Sequence, residues 1–198
     1  MSATESFATR FIEESIEALT KLDLDQVEAV KRELVAVRER GGRLFIIGSG
    51  GGAGHASHAV NDFRKIAGIE AYSPSDNVSE LTARINDEGW DTSYSAWLAG
   101  SRLRADDLVL VFSVGGGDQV RNISTNLVNC LLLAKRVGAR ICGIVGRDGG
   151  ETARLADACI LIPVVSDSLV TPHTEGLQAV VWHLLVSEPE VQVVATRW

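Results

Sequence analysis

Apolar and polar positions change rhythm once the chain is under way. Up to residue 40 the apolar side chains Phe7, Phe11, Ile12, Ile16 and Leu19, then Val27, Val30, Leu34 and Val37, recur at spacings of three and four. That is the period of a helix with one apolar face. Residues 21–25 interrupt the pattern and Gly41-Gly42 ends it, so two amphipathic helices are predicted within residues 5–40. Their apolar stripes need a partner surface, and a second copy of the chain is one candidate.

From residue 43 onward short apolar runs alternate with helical patterns. Strands are predicted at 43–47, 70–73, 107–112, 140–145 and 159–163, and helices at 51–67, 79–85, 92–100, 119–137 and 172–186. The polar stretch INDEGWD is expected to separate the helices at 79–85 and 92–100, and residues 146–150 to form a loop. Several strands, DLVLVF among them, are apolar throughout. Uninterrupted apolar strands alternating with helices mean a parallel sheet covered on both faces, an α/β fold. No composition break divides the 198 residues, so one domain is expected: N-terminal helices over 1–42 and an α/β core over 43–198.

Composition narrows the function classes. Apolar residues make up 45% and charged residues 23% of the chain, ordinary for a globular protein. A formal net charge of -7 without a basic run argues against a nucleic-acid partner. No apolar run reaches the ~20 residues of a membrane helix, and the opening MSATESFATRF lacks the apolar core of a secretory leader. The three cysteines, Cys130, Cys142 and Cys159, sit in apolar segments without metal spacing and read as buried reduced thiols, so cytoplasmic residence is expected.

One unit recurs, an apolar strand ending in a glycine loop: LFIIGSGGG, LVLVFSVGGG and RICGIVGRDGG. Ligands of open parallel sheets sit at the carboxyl ends of the strands, where glycine lets backbone N–H groups approach an anion. Gly48, Gly50 and Ala53 also fit the GxGxxA dinucleotide fingerprint, with Glu70 at the expected distance. Two helices before the strand, and an acidic residue at the start of the second strand rather than its end, speak against that reading.

The four histidines are His55, His58, His173 and His183. His58 and Asp62 are four residues apart, and Glu175 and His183 eight apart, so each pair shares a helix face. If the two helices meet, two imidazoles and two carboxylates converge. Such a set serves either of two purposes: holding a zinc-like divalent ion, or moving a proton between adjacent carbons.

The segments GSGGGAGHASHAVNDF, INDEG, FSVGGGD, IVGRDGGE and TPHTEGLQAVVWHLL occur in the order found in SIS (sugar isomerase) domains. The chain most resembles the phosphoheptose isomerases within them, which interconvert sedoheptulose 7-phosphate and D-glycero-D-manno-heptose 7-phosphate. The resemblance implies a three-layer α/β/α domain with a five-stranded parallel sheet, and a homotetramer with sites at subunit interfaces. It implies Asp62 and His183 as base and acid acting through an enediol, and His58, Asp62, Glu175 and His183 as ligands of one zinc or similar divalent ion per subunit. Sugar-phosphate contact is implied for Ser49, Gly50, Gly51 and Gly52 in the first loop, and for Ser113, Gly115, Gly116 and Asp118 in the second. Asn86, Asp87 and Glu175 complete the implied set.

The chain departs from the family pattern GNGGSAADAxHxxxEF and STSGNS at telling places. Asp62 replaces a glutamate, Glu175 a glutamine and Gly52 a serine, while Val114, Gly115 and Asp118 replace residues of the second phosphate loop. Asp118 is expected to cap the following helix and to repel a phosphate. An alternative therefore stands beside the isomerase: a non-catalytic SIS module that binds a sugar phosphate or a protein, as the type that binds the replication initiator DnaA does. A third reading is an isomerase of a differently substituted sugar.

Overall fold

The structure is a computed structural model and describes residues 6–195. Residue 5, the expected start of the first helix, and residues 196–198 lie outside the described residues. Two helices open the chain, α1 (Phe7–Thr20) and α2 (Leu24–Glu39). Ser6 caps α1 by accepting the Thr9 N–H, and Asp23 caps α2 by accepting those of Asp25 and Gln26, which satisfies donors that a helix start leaves unpaired. There follow β1 (Arg43–Gly48), α3 (Gly51–Lys65), β2 (Glu70–Tyr72), α4 (Val78–Glu88), α5 (Trp90–Gly100) and β3 (Leu108–Ser113). The chain continues with α6 (Thr125–Val137), β4 (Arg140–Val145), α7 (Gly150–Leu155), β5 (Ala158–Leu161) and α8 (Val170–Ser187).

The five strands form one parallel sheet in the order β2-β1-β3-β4-β5. Side chains alternate between its faces. Leu44 and Ile46 of β1 with Leu108, Leu110 and Phe112 of β3 pack under α2, α3 and α8, through Leu34, Phe63, Trp182 and Leu185. Phe45, Ile47, Val109 and Val111 point the other way, onto Tyr94, Trp97 and Leu98 of α5 and Leu127, Leu131 and Ala134 of α6. Both alternating sets are buried, which is why the strands read as apolar throughout. Strand order reverses at β1 and β3, so a crevice opens at their carboxyl ends.

Three expectations on the elements are corrected. INDEGWD is helical except at Gly89, whose φ of 86° makes the joint between α4 and α5. The helix expected from residue 119 starts at Thr125, because Asn122 and Ser124 hold left-handed φ values of 55° and 50° that an α-helix cannot continue through. The loop expected at 146–150 runs into α7, a short helix whose first N–H groups are taken up by the second glycine loop. Pro172 sits at the third position of α8, where no intrahelical donor is lost. No described helix is long and apolar enough to cross a membrane.

Candidate active site

A cavity of about 550 Å³ lies at the carboxyl ends of the central strands. Among the residues expected to meet substrate, Ser49, Gly52, Ser113, Gly115, Asp118 and Glu175 line it. The second glycine loop is anchored to α7 by its carbonyls. That of Gly116 accepts the Thr152 N–H and hydroxyl at 3.0 and 2.7 Å, and that of Gly117 accepts the Glu151 N–H at 2.9 Å. In a trans peptide the N–H points opposite to the preceding C=O, so the Gly117 N–H is turned away from α7. The Gly116 N–H donates to Ser113 Oγ at 3.0 Å, whereas those of Gly115 and Gly117 have no acceptor among the described residues. Gly116 and Gly117 carry φ values of 70° and 84°, the kind of turn that forms an anion-binding concavity. A Cβ on Gly116 would fall 1.8 Å from the Gly149 carbonyl oxygen, so no larger residue fits. For the same reason Gly116 braces the loop and does not itself line the cavity.

Asp118 does not cap α6. It pairs through N–H and C=O with Ile123, its Oδ1 accepts the Arg121 N–H at 2.9 Å, and its Oδ2 lies 3.7 Å from the Arg121 guanidinium. The expected repulsion of phosphate is therefore met by a cation on the same loop. Asn86 and Asp87 are exposed on α4, hydrogen-bonded to each other at 2.8 Å, and line no part of the cavity. Gly50 caps α3 with a φ of 58°, and Gly51 lies in an adjoining smaller recess with His55 and Glu175. Sequence reasoning passed over Arg121, Arg147 and Arg154, which bring positive charge to the cavity, and Gln178, whose amide donates to the carbonyls of Ser113 and Ile144 at 3.0 and 2.7 Å. The signal for Arg147 is its place inside the motif IVGRDGG, directly after a strand-ending glycine.

A second constellation lies further along α3 and α8, which pack side by side. His58, Asp62 and His183 bring one donor atom each to within 4.8 Å of one another. Asp62 is buried; its Oδ1 accepts from the Asn61 amide at 2.7 Å, and its Oδ2 has no hydrogen-bond partner. That orphaned oxygen lies 3.8 Å from His58 Nε2 and 3.9 Å from His183 Nε2. His183 Nδ1 is 2.7 Å from the Ala179 carbonyl. A carbonyl only accepts, so Nδ1 carries the proton and Nε2 offers a lone pair in the neutral ring. A lone pair beside an unpaired buried carboxylate oxygen asks for a proton or a cation between them. Two imidazole nitrogens with one carboxylate oxygen are a donor set that suits zinc, with a position left open.

Glu175 is the exception to the predicted four. Its carboxyl lies over Gly51, where a Cβ would come within 2.6 Å of it, and it is absent from the three-residue group. There it lies beside the first residue of α3, without a hydrogen-bond partner among the described residues. The remaining histidines are separate: His55 meets Phe112 edge to face, and His173 is buried against Phe11 with Glu14 2.8 Å from Nε2. The eight residues from Glu175 to His183 span about 12 Å along α8.

No family model matches the sequence. The chain is 34% identical over 151 residues to the lincomycin biosynthesis protein LmbN of Streptomyces lincolnensis, covering 73% of this chain and only 54% of that longer protein. It is 30% identical over 182 residues to a probable phosphoheptose isomerase of Thermoplasma volcanium, covering 89% of this chain and 87% of that one. In structure it resembles phosphoheptose isomerase GmhA from Neisseria gonorrhoeae, with a TM-score of 0.77 at 21% identity over 90% of this chain and 94% of that one. Sequence similarity along nearly the whole chain, on this five-stranded parallel fold, shows that the chain belongs to the phosphoheptose isomerase family of SIS-domain proteins.

Proposed function

We propose that the chain interconverts sedoheptulose 7-phosphate and D-glycero-D-manno-heptose 7-phosphate, moving the carbonyl between C2 and C1. The observation that carries this reading is the buried, unpaired Asp62 Oδ2 facing two imidazole nitrogens. Starting from the ketose, Asp62 removes a proton from C1 to form the enediol and returns it to C2. His183 Nε2 exchanges the proton between the two sugar oxygens, its ring held by the Ala179 carbonyl. Burial supports this role for Asp62, because a carboxylate shielded from water keeps its proton from exchanging with solvent.

The residues fit a divalent ion. His58, Asp62 and His183 would hold it in place of serving the proton transfer, since His183 Nε2 has one lone pair, and Glu175 is left to accept hydrogen bonds from sugar hydroxyls beside Gly51. Such an ion, when bound, polarises a carbonyl and steadies negative charge on the neighbouring oxygens. The phosphate end belongs at the N–H groups of Gly115 and Gly117, with Ser113 and Ser49 on the same wall. Assembly into a homotetramer is supported by Phe7, Ile12 and Ile16 on α1, each more than half exposed at 61%, 58% and 55%. Cytoplasmic residence is supported by three cysteines that form no disulfide, two of them fully buried.

The test is isomerisation of sedoheptulose 7-phosphate by the purified full chain, followed as appearance of the aldose. Turnover that is lost in Asp62→Asn supports the reading. Absence of turnover in folded wild type, both with added zinc and with a chelator, overturns it and favours a binding module.

A further inference from the structure

We infer that Arg147 is the cationic contact for the phosphate of the substrate, supplying charge to a second glycine loop whose only hydroxyl is that of Ser113. The inference rests on the isomerase reading for the identity of the molecule, and on four observations for the contact. Arg147 lines the cavity and makes no hydrogen bond or ion pair among the described residues, whereas Arg121 and Arg154 are held by Asp118 and Glu151. Its Cδ lies 3.6 Å from where a Cβ on Gly115 would be, so its stem crosses the loop whose N–H groups at 115 and 117 are unpaired. Its backbone is left-handed, with a φ of 53°, an uncommon state for a residue with a side chain. Glycine would hold this turn without strain, so the chain tolerates the strain to place an arginine there. Such strain gathers at functional positions.

The chemistry agrees. Val114, Gly115 and Asp118 offer no hydroxyl to a phosphate. The two N–H donors and the Ser113 and Ser49 hydroxyls are neutral and leave its charge uncompensated, and Asp118 adds a negative one. A guanidinium supplies a full charge and a planar pair of donors suited to two phosphate oxygens. Arg121, neutralised by Asp118, leaves that work to Arg147. Recognition by charge at an exposed side chain also predicts a KM that rises with ionic strength.

The experiment compares wild type with Arg147→Lys, Arg147→Asn and Arg147→Gly, using inorganic phosphate as the binding probe and sedoheptulose 7-phosphate as substrate. Asparagine and glycine tolerate the left-handed backbone, so these variants keep or raise the melting temperature. Loss of a charge-assisted contact weakens phosphate binding and raises KM by about ten- to a hundredfold, with kcat changed far less and lysine intermediate. Unchanged phosphate affinity and KM in Arg147→Gly would overturn the inference while leaving the isomerase standing. Wild type that binds phosphate through Arg147 yet turns over no sugar phosphate would uphold the inference and sink the isomerase.

Discussion

The two ends of the sheet treat their polar groups in opposite ways. At the amino ends of the strands the buried charges are paired. Asp107 is fully buried, and its two oxygens accept from the Arg43 guanidinium, the Arg43 N–H and the Arg104 N–H. The same guanidinium donates to the carbonyls of Ser101 and Arg102, both at 2.8 Å. Arg140 likewise joins Glu33 to Asp157, and Asp157 accepts the Ile141 N–H at 2.8 Å. At the carboxyl ends the Gly115 and Gly117 N–H groups and the Arg147 guanidinium have no partner among the described residues, and along the adjoining helices Asp62 Oδ2 has none. An unpaired buried group such as Asp62 Oδ2 costs stability, so the contrast separates the end that holds the sheet together from the end prepared for a ligand.

The sharpest way to break this division is to change one carboxylate at each end. Asp62→Asn removes the base without removing volume. Activity falls by about 10²–10⁴-fold, while the urea midpoint stays level or rises because a buried unpaired charge has gone. Loss of both activity and stability together would make Asp62 structural. Asp107→Ala does the reverse. It strands Arg43 and costs about 3–5 kcal/mol, read from urea unfolding, with the activity of the remaining folded molecules unaltered.

A gentler probe fills the unpaired end and leaves the covalent chain alone. Zinc at a hundredfold excess over its Kd stabilises the wild type by about 2.7 kcal/mol, seen as a higher melting temperature that a chelator reverses. His58→Ala and His183→Ala each lose most of that gain, and Glu175→Gln keeps it. Equal loss in Glu175→Gln would restore that residue to the metal site.

Taken per group and per pH unit, the smallest effect belongs to the walls between the two ends. Burial pushes the Cys130 and Cys142 thiols above their ordinary value of 9.0 and Cys159 up to about 12. Above pH 9.0 the unfolded chain releases these protons and the folded chain retains them. Stability is therefore whole below that pH and declines above it, by at most about 1.4 kcal/mol per pH unit for each buried thiol. Urea midpoints between pH 8 and 11 measure the slope, and Cys142→Ala flattens it.

Much of this division was already legible. The apolar runs at β1, β3 and β4 marked strands buried on both faces, and the glycines after them marked their ligand-facing ends. The four-residue step from His58 to Asp62 and the return of His183 on a later helix pointed to one cluster. Local pattern failed where a distant contact decided the outcome. Glu175 shares a helix face with His183, yet its carboxyl lies over Gly51 at the start of α3, away from the imidazoles. Asp118 stands where a cap is expected, yet its pairing with Ile123 and Arg121 closes a loop. Asn86 and Asp87 match a motif, yet α4 carries them to the surface away from the cavity.

By itself, then, the sequence determined the alternation of strands and helices, the parallel sheet, the glycine turns and the pair of helices bearing the imidazoles. Those follow from periodicity and from backbone freedom, which are properties of neighbours in the chain. Only the tertiary structure decided which donors meet, that Asp62 keeps one oxygen free while Asn61 takes the other, and that Arg147 crosses the second glycine loop. Those depend on how helices pack and which helix ends face which carboxylates, over separations that no local pattern records.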